Sequence, residues 1–197
     1  MPENIVADTS FFVCYESDLK KRTCLLNFMN IYTFHIGEKI RRELPLSLAN
    51  CKEFCSLVKD REEPFIELVK PLISRSERHK NDGEYEAIGI AYHLNEHYSL
   101  KYLIIDEKVA HNFTYTHFPT LQGKLTRSIG FVKKSCMEDK IISHNMALHI
   151  FNCMKRRFEE YSKENKGRPC SIDGKVYSNI LIPSMKEIEV DRNNGRL

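Results

Sequence analysis

An α/β fold around a mostly parallel sheet is what this sequence predicts, and two observations carry the prediction. Short, β-branched apolar runs alternate with stretches of helical spacing, as strands and crossover helices do in α/β sandwiches. Two of those runs, Ile5–Ala7 and Tyr102–Ile105, stop directly on an aspartate, Asp8 and Asp106. In an open parallel sheet the carboxyl ends of the strands share one edge, and ligands bind along it.

Element by element, Ile5–Ala7 reads as a buried parallel strand. Residues 11–30 carry mixed helical spacing around the basic cluster Lys20-Lys21-Arg22. Residues 32–36 alternate and stop at Gly37, a second strand; Glu38 to Leu44 is a short helix halted near Pro45. Residues 46–80 form a charged helical region, with 74–83 as a polar loop. From Glu84, the recurrence of Ala87, Ile88, Ala91 and Leu94 predicts a helix. Tyr102–Ile105 is the clearest buried strand, followed by a helix to about Phe113 and a weaker strand over 120–125. A helix starts near Ser128, and a long one covers 143–161. Residues 1–160 are thus one α/β domain with 46–80 as a helical elaboration. Residues 161–197 form an extension, where Asp173-Gly174 is read as the turn of a small hairpin and the end as a frayed tail.

Composition bounds the function. A chain of 197 residues with 42% hydrophobic and 29% charged side chains suits one globular domain. Lys+Arg 30 against Asp+Glu 27 gives a net charge of only +3, which excludes a surface built throughout as a polyanion trap. No apolar run approaches the roughly 18–20 residues that span a bilayer, and the first residues lack the pattern of a signal peptide. The expectation is a cytoplasmic protein with no membrane partner. Seven cysteines, an odd number without a CxxC pair, are expected to be reduced thiols.

The chemistry is expected to centre on acids. Asp8 and Asp106 arrive at the same sheet edge, and Glu84 opens a helix on the face shared with Ala87 and Ile88, where a carboxylate gains about 0.3–1 kcal/mol from the helix dipole. Glu86, two residues on, falls near the opposite face and ranks second to Glu84, as a supporting acid of the site or else a solvated first-turn glutamate. Converging carboxylates repel and take up protons unless a cation neutralises them; an oxygen-only site suits Mg²⁺ or Mn²⁺.

The segments VADTSFF, DGEYEAIGIA and YLIIDEKVAHNF together resemble a PIN domain, in the branch that includes the nuclease toxins of toxin–antitoxin pairs. The resemblance spans about residues 4–160 and implies a three-layer α/β/α sandwich. By motif it assigns Asp8, Glu84 and Asp106 as metal-holding acids. It assigns the remaining catalytic acid to Glu43 in YTFHIGEKIRREL, with Glu38 as the alternative. Glu107 stands where the family often repeats Asp, and His111 where a basic residue is usual. RSIGFV keeps a hydroxyl at Ser128 but has Arg127 in place of Gly. Ser10 matches a hydroxyl position near the site, or else caps a helix. Lys39, Arg41 and Arg42, with Arg127, are the candidate RNA contacts. The resemblance implies Mg²⁺-dependent hydrolysis of RNA phosphodiesters, with an antitoxin partner and a homodimer as family features. The competing reading is a non-catalytic PIN-like module that binds RNA or protein.

Overall fold

The computed structural model describes residues 2–73, 82–164 and 169–195. It divides into two compact units, Met1–Thr126 and Arg127–Leu197. Part of the expected 74–83 loop, residues 74–81, lies outside the described residues; Asp82 and Gly83 already belong to the helix that follows.

The first unit is an α/β structure on five parallel strands: β1 (Asn4–Ala7), β2 (Thr33–Ile36), β3 (Lys59–Asp60), β4 (Leu100–Ile104) and β5 (Leu125–Thr126). Their order is β3-β2-β1-β4-β5, and every pairing is parallel. Between β1 and β2 run α1 (Thr9–Val13), a π-helical turn (Cys14–Asp18) and α2 (Arg22–Met29). The expected helical region after β2 resolves into α3 (Glu38–Glu43), α4 (Leu46–Ala49), α5 (Lys52–Leu57) and α6 (Ile66–Val69), with β3 inserted before α6. Then come α7 (Asp82–His97), before β4, and α8 (Lys108–His117), before β5.

The chain lays strands outward from β1 to β3, then returns across the sheet to β4 and β5. Parallel crossovers are right-handed, so this reversal sends α7 and α8 to the face opposite α1 and α2, an arrangement compatible with three layers. The reversal also makes the gap between β1 and β4 a topological switch point. Both central strands are buried on both faces, which explains their unbroken apolar runs: Ile5, Val6, Ala7, Leu103 and Ile104 are fully inaccessible.

Aromatic packing sets α1 on the sheet. Phe11 stacks on Phe34 of β2 at 5.6 Å between ring centroids, and Phe12 meets Phe34 at 6.2 Å and Phe54 at 5.7 Å. Each such pair adds about 0.5–1.5 kcal/mol beyond area burial, so the entry of α1 is pinned directly after β1. A second tie joins β1 to β2: buried His35 accepts from Arg61 Nε at Nδ1 (3.0 Å), which leaves Nε2 to donate to Asn4 Oδ1 (2.9 Å). Burial, then the charges of Arg61 and Lys59, lower the His35 pKa to about 4. The ring is neutral in the fold.

The second unit is helical: α9 (Ser128–Met137), α10 (His144–Glu164), α11 (Gly174–Val176) and α12 (Ile182–Asn194). Phe131, Ala147, Phe151, Met154 and Ile188 are buried within it. The hairpin expected at Asp173-Gly174 is replaced by a helix start. Asp173 caps α11 by accepting from Val176 N at 2.8 Å, and a π-helical turn carries the chain into α12. The tail is helical to Asn194 instead of frayed there. Cys24, Cys51, Cys55, Cys136 and Cys153 are free thiols, whereas the reduced state expected of all seven does not hold at Cys14 or at Cys170. Among the described residues no helix is long and apolar enough to cross a membrane.

Candidate acidic site at the carboxyl edge of the sheet

β1 and β4 pair with Ala7 opposite Ile104, and Asp8 N continues the ladder to Ile104 O at 3.0 Å. Asp8 directly follows Ala7, and Asp106 follows Ile104 by two residues. Asp8 is fully buried; its Oδ1 accepts from Phe11 N at 3.1 Å, capping α1, and its Oδ2 accepts from Asp106 N at 2.9 Å. One carboxylate therefore fixes the start of α1 to the end of β4. Asp106 is buried beside it. Desolvation, then the negative charge of Asp106 and, more weakly, of Glu84, hold the Asp8 carboxyl well above its ordinary range; the two backbone N–H groups pull it the other way. Each carboxylate oxygen has two lone pairs, so both oxygens keep accepting capacity.

Glu84, in the first turn of α7, is half-buried, and its carboxyl is also raised: by burial first, then by Glu43, Glu107 and Asp82. The two candidate acids of α3 have different partners. Glu38 pairs with Arg42 on the surface, whereas Glu43 Oε2 accepts from Thr9 Oγ1 at 2.7 Å. Gly83 completes this contact. A Cβ there would stand 2.5 Å from Glu43 Oε2 and 3.1 Å from Thr9 Oγ1, so only glycine lets α7 begin against α3 and α1 with Glu43 in place. Because Glu43 is exposed at the end of a flexible side chain, Gly83→Ala is expected to displace it without unfolding the protein. The helix gains up to about 1 kcal/mol of propensity from alanine. Melting should therefore be almost unchanged; a thermal transition lowered by several degrees would show that Glu43 cannot move aside.

The other expected residues distribute as follows. Glu107 caps α8, accepting from Ala110 N at 2.7 Å, and contributes its charge to Glu84. Ser10 sits inside α1 and is not its cap; the cap is Asp8, and the hydroxyl that reaches an acid belongs to Thr9. Arg127 and Ser128 open the second unit, Arg127 at the N-cap position of α9 and Ser128 buried as its first residue. Of the basic candidates, Arg41 is held by Asp60 through two bonds of 2.6 and 2.7 Å, Arg42 by Glu38, and Lys39 Nζ stands 3.9 Å from Asp82. Glu86 is the largest departure. It is only 4% exposed and accepts from Ile40 N at 3.0 Å, so it is no solvated glutamate. Thr9, Gly83 and Tyr15 carry no signal in the sequence; the fully buried Tyr15 hydroxyl has no hydrogen-bond partner among the described residues and is pushed up by burial, Cys24 and Asp106.

The donor set fits a hard divalent cation: its groups are all carboxylates, and two of them, Asp8 and Glu84, are raised by burial and by one another's negative neighbours, the conflict a cation relieves. Among the described residues no three acid, histidine or cysteine side chains stand close enough to share a metal ion as they are placed. Compared with known proteins, the sequence matches no protein-family model, no curated protein and no solved structure.

Proposed function

We propose that this chain is a divalent-metal-dependent nuclease of PIN-like, three-layer fold that hydrolyses RNA phosphodiester bonds. The observation that carries the reading is the pair of buried aspartates, Asp8 and Asp106, just beyond the ends of adjacent strands at the switch point of a parallel sheet, with Glu84 near enough to raise Asp8 and Glu43 near enough to raise Glu84. Asp8, Asp106 and Glu84 would hold Mg²⁺ or Mn²⁺. Such an ion lowers the pKa of bound water and stabilises charge on the scissile phosphate and leaving oxygen. Glu43, exposed and steadied by Thr9, is the acid placed to take a proton from water arriving from solvent. The choice of RNA over DNA, and an extension to a homodimeric toxin held by an antitoxin in the family manner, rest on the motif resemblance.

The test is metal binding together with cleavage. Calorimetry with Mn²⁺ is expected to show binding that Glu84→Gln weakens, and single-stranded or structured RNA is expected to be cut only with Mg²⁺ or Mn²⁺ present. A wild-type protein that binds RNA, takes no Mn²⁺ and cuts nothing would make the chain a PIN-like binding module instead. For the toxin role, expression of the wild type should arrest growth and Asp8→Asn should not.

A further inference from the structure

Glu86 has a task of its own. It lies two residues after Glu84 on α7 and is 4% exposed, yet its carboxylate does not face the Asp8–Asp106 pair. It caps a different helix: Oε2 accepts from Ile40 N at 3.0 Å. This amide lies in the first turn of α3, where backbone N–H groups lack intrahelical partners. Gly37 makes the approach possible, because a Cβ there would lie 2.2–2.6 Å from the carboxylate atoms of Glu86. At the far end of the same six-residue helix stands Glu43, meeting Gly83 and Thr9. Helix α3 is thus held to the first turn of α7 at both ends, by Glu86 at its start and by the Gly83 contact at its finish.

We infer that Glu86 is a positioning residue of the acidic site, whose buried carboxylate anchors the start of α3 and thereby sets Glu43 against Thr9 and Gly83. This rests on the nuclease reading above, and it adds to it a division of labour within the GEYE segment. Glu84 serves the site directly, while Glu86 acts only through Glu43. One amide accepted by a buried carboxylate, with Gly37 close against that carboxylate, defines the angle at which a short helix leaves β2. A helix of six residues has too few internal bonds to define that angle alone.

A double-mutant cycle tests the inference. Glu86→Ala is expected to lower kcat for RNA cleavage by about 10- to 100-fold, the range for residues that orient a metal-site group, with KM little changed. Glu86→Gln, which keeps one acceptor at the same volume, should recover most of that loss. In a Glu43→Gln background the same Glu86→Ala change should cost no more than about twofold, because the group it positions is already gone. A purely structural role predicts an equal loss in both backgrounds and would overturn the inference, as would wild-type kcat in a Glu86→Ala protein that melts cooperatively. If Glu86→Ala does not fold, Gly37→Ala, which crowds the same carboxylate, carries the cycle with the same two outcomes. Asp8→Asn runs in parallel. If it cuts RNA normally, the nuclease site itself is misplaced; if it is inactive while the cycle is additive, only the role of Glu86 fails.

Discussion

Asp106→Asn is expected to abolish Mg²⁺-dependent RNA cleavage, by about 10³-fold or more, and to make the metal-free protein melt a few degrees higher than the wild type. The catalytic part follows from the several kcal/mol that a bound metal contributes to a phosphoryl transition state, since each 1.36 kcal/mol is tenfold in rate. The stability part follows from electrostatics. The charge of Asp106 is the largest charged influence that raises the Asp8 carboxyl, second only to burial. Asparagine removes that charge and keeps the backbone N–H that bonds to Asp8 Oδ2. Asp8→Asn is expected to be equally inactive but to gain less. Its amide would offer N–H to one of the two backbone donors, Phe11 N or Asp106 N, that the carboxylate now satisfies, and a buried donor left unpaired costs about 1–3 kcal/mol. The metal should reverse the order. Mg²⁺ at 100 times its Kd stabilises a binding-competent protein by about 2.7 kcal/mol, so the wild type should melt higher with Mg²⁺ than in EDTA, and neither variant should respond. Normal cleavage by both variants, or equal metal shifts in all three proteins, would sink the assignment of these aspartates. A site that is less stable empty than mutated is what selection for function at the expense of stability produces.

What could be read from the sequence was whatever a local run of residues decides. β1 and β4 are legible because burial on both faces demands continuous apolar residues, β2 because residues 32–36 alternate and stop at Gly37, and Asp8 and Asp106 because each stops an apolar run. β3 is not, since Lys59 and Asp60 are two exposed polar residues on an edge strand. Its place is set by pairing with His35 and Ile36 and by the Arg41–Asp60 bridge, both contacts from other parts of the chain. Asp173-Gly174 misleads because an aspartate before a glycine serves equally to turn a hairpin and to cap a helix. The choice falls to the residues beyond it, which here continue helically.

The misplaced Glu86 teaches the same lesson inside the site. Helical spacing correctly puts it away from Glu84, but the inference from opposite face to solvent holds only for a helix with one buried side. α7 is buried over every position from Tyr85 to Ala91, so its opposite face is another packing surface, occupied by the start of α3. Thr9 and Gly83 stayed hidden for a related reason. Their importance lies in a three-way meeting with Glu43 that no spacing within one helix encodes.

His35 supplies the second large effect, an acid sensitivity of the fold separate from the acidic site. Its pKa drops from the ordinary 6.5 to about 4 because the ring is buried between Arg61 and Asn4 and must stay neutral to accept from Arg61. Between those values the unfolded chain binds a proton that the folded protein refuses, so stability rises with pH across this window. The contribution is complete above pH 6.5 and is lost progressively as pH falls toward 4. At about 1.4 kcal/mol for each pH unit of separation, the full loss is about 3 kcal/mol. Asp8, Glu84 and Glu86 work in the opposite direction, because carboxyls raised in the fold bind protons more readily than the unfolded chain does and favour folding as pH falls. The wild-type profile alone therefore mixes two signs, and the measurement has to be a difference. His35→Gln removes the titrating ring and leaves the carboxyls, so subtracting its urea-unfolding profile from that of the wild type isolates the histidine. The expected result is a wild-type advantage that shrinks by up to about 3 kcal/mol from pH 6.5 to pH 4. A difference that stays flat with pH would mean that His35 is protonated in the fold and that Arg61 points elsewhere.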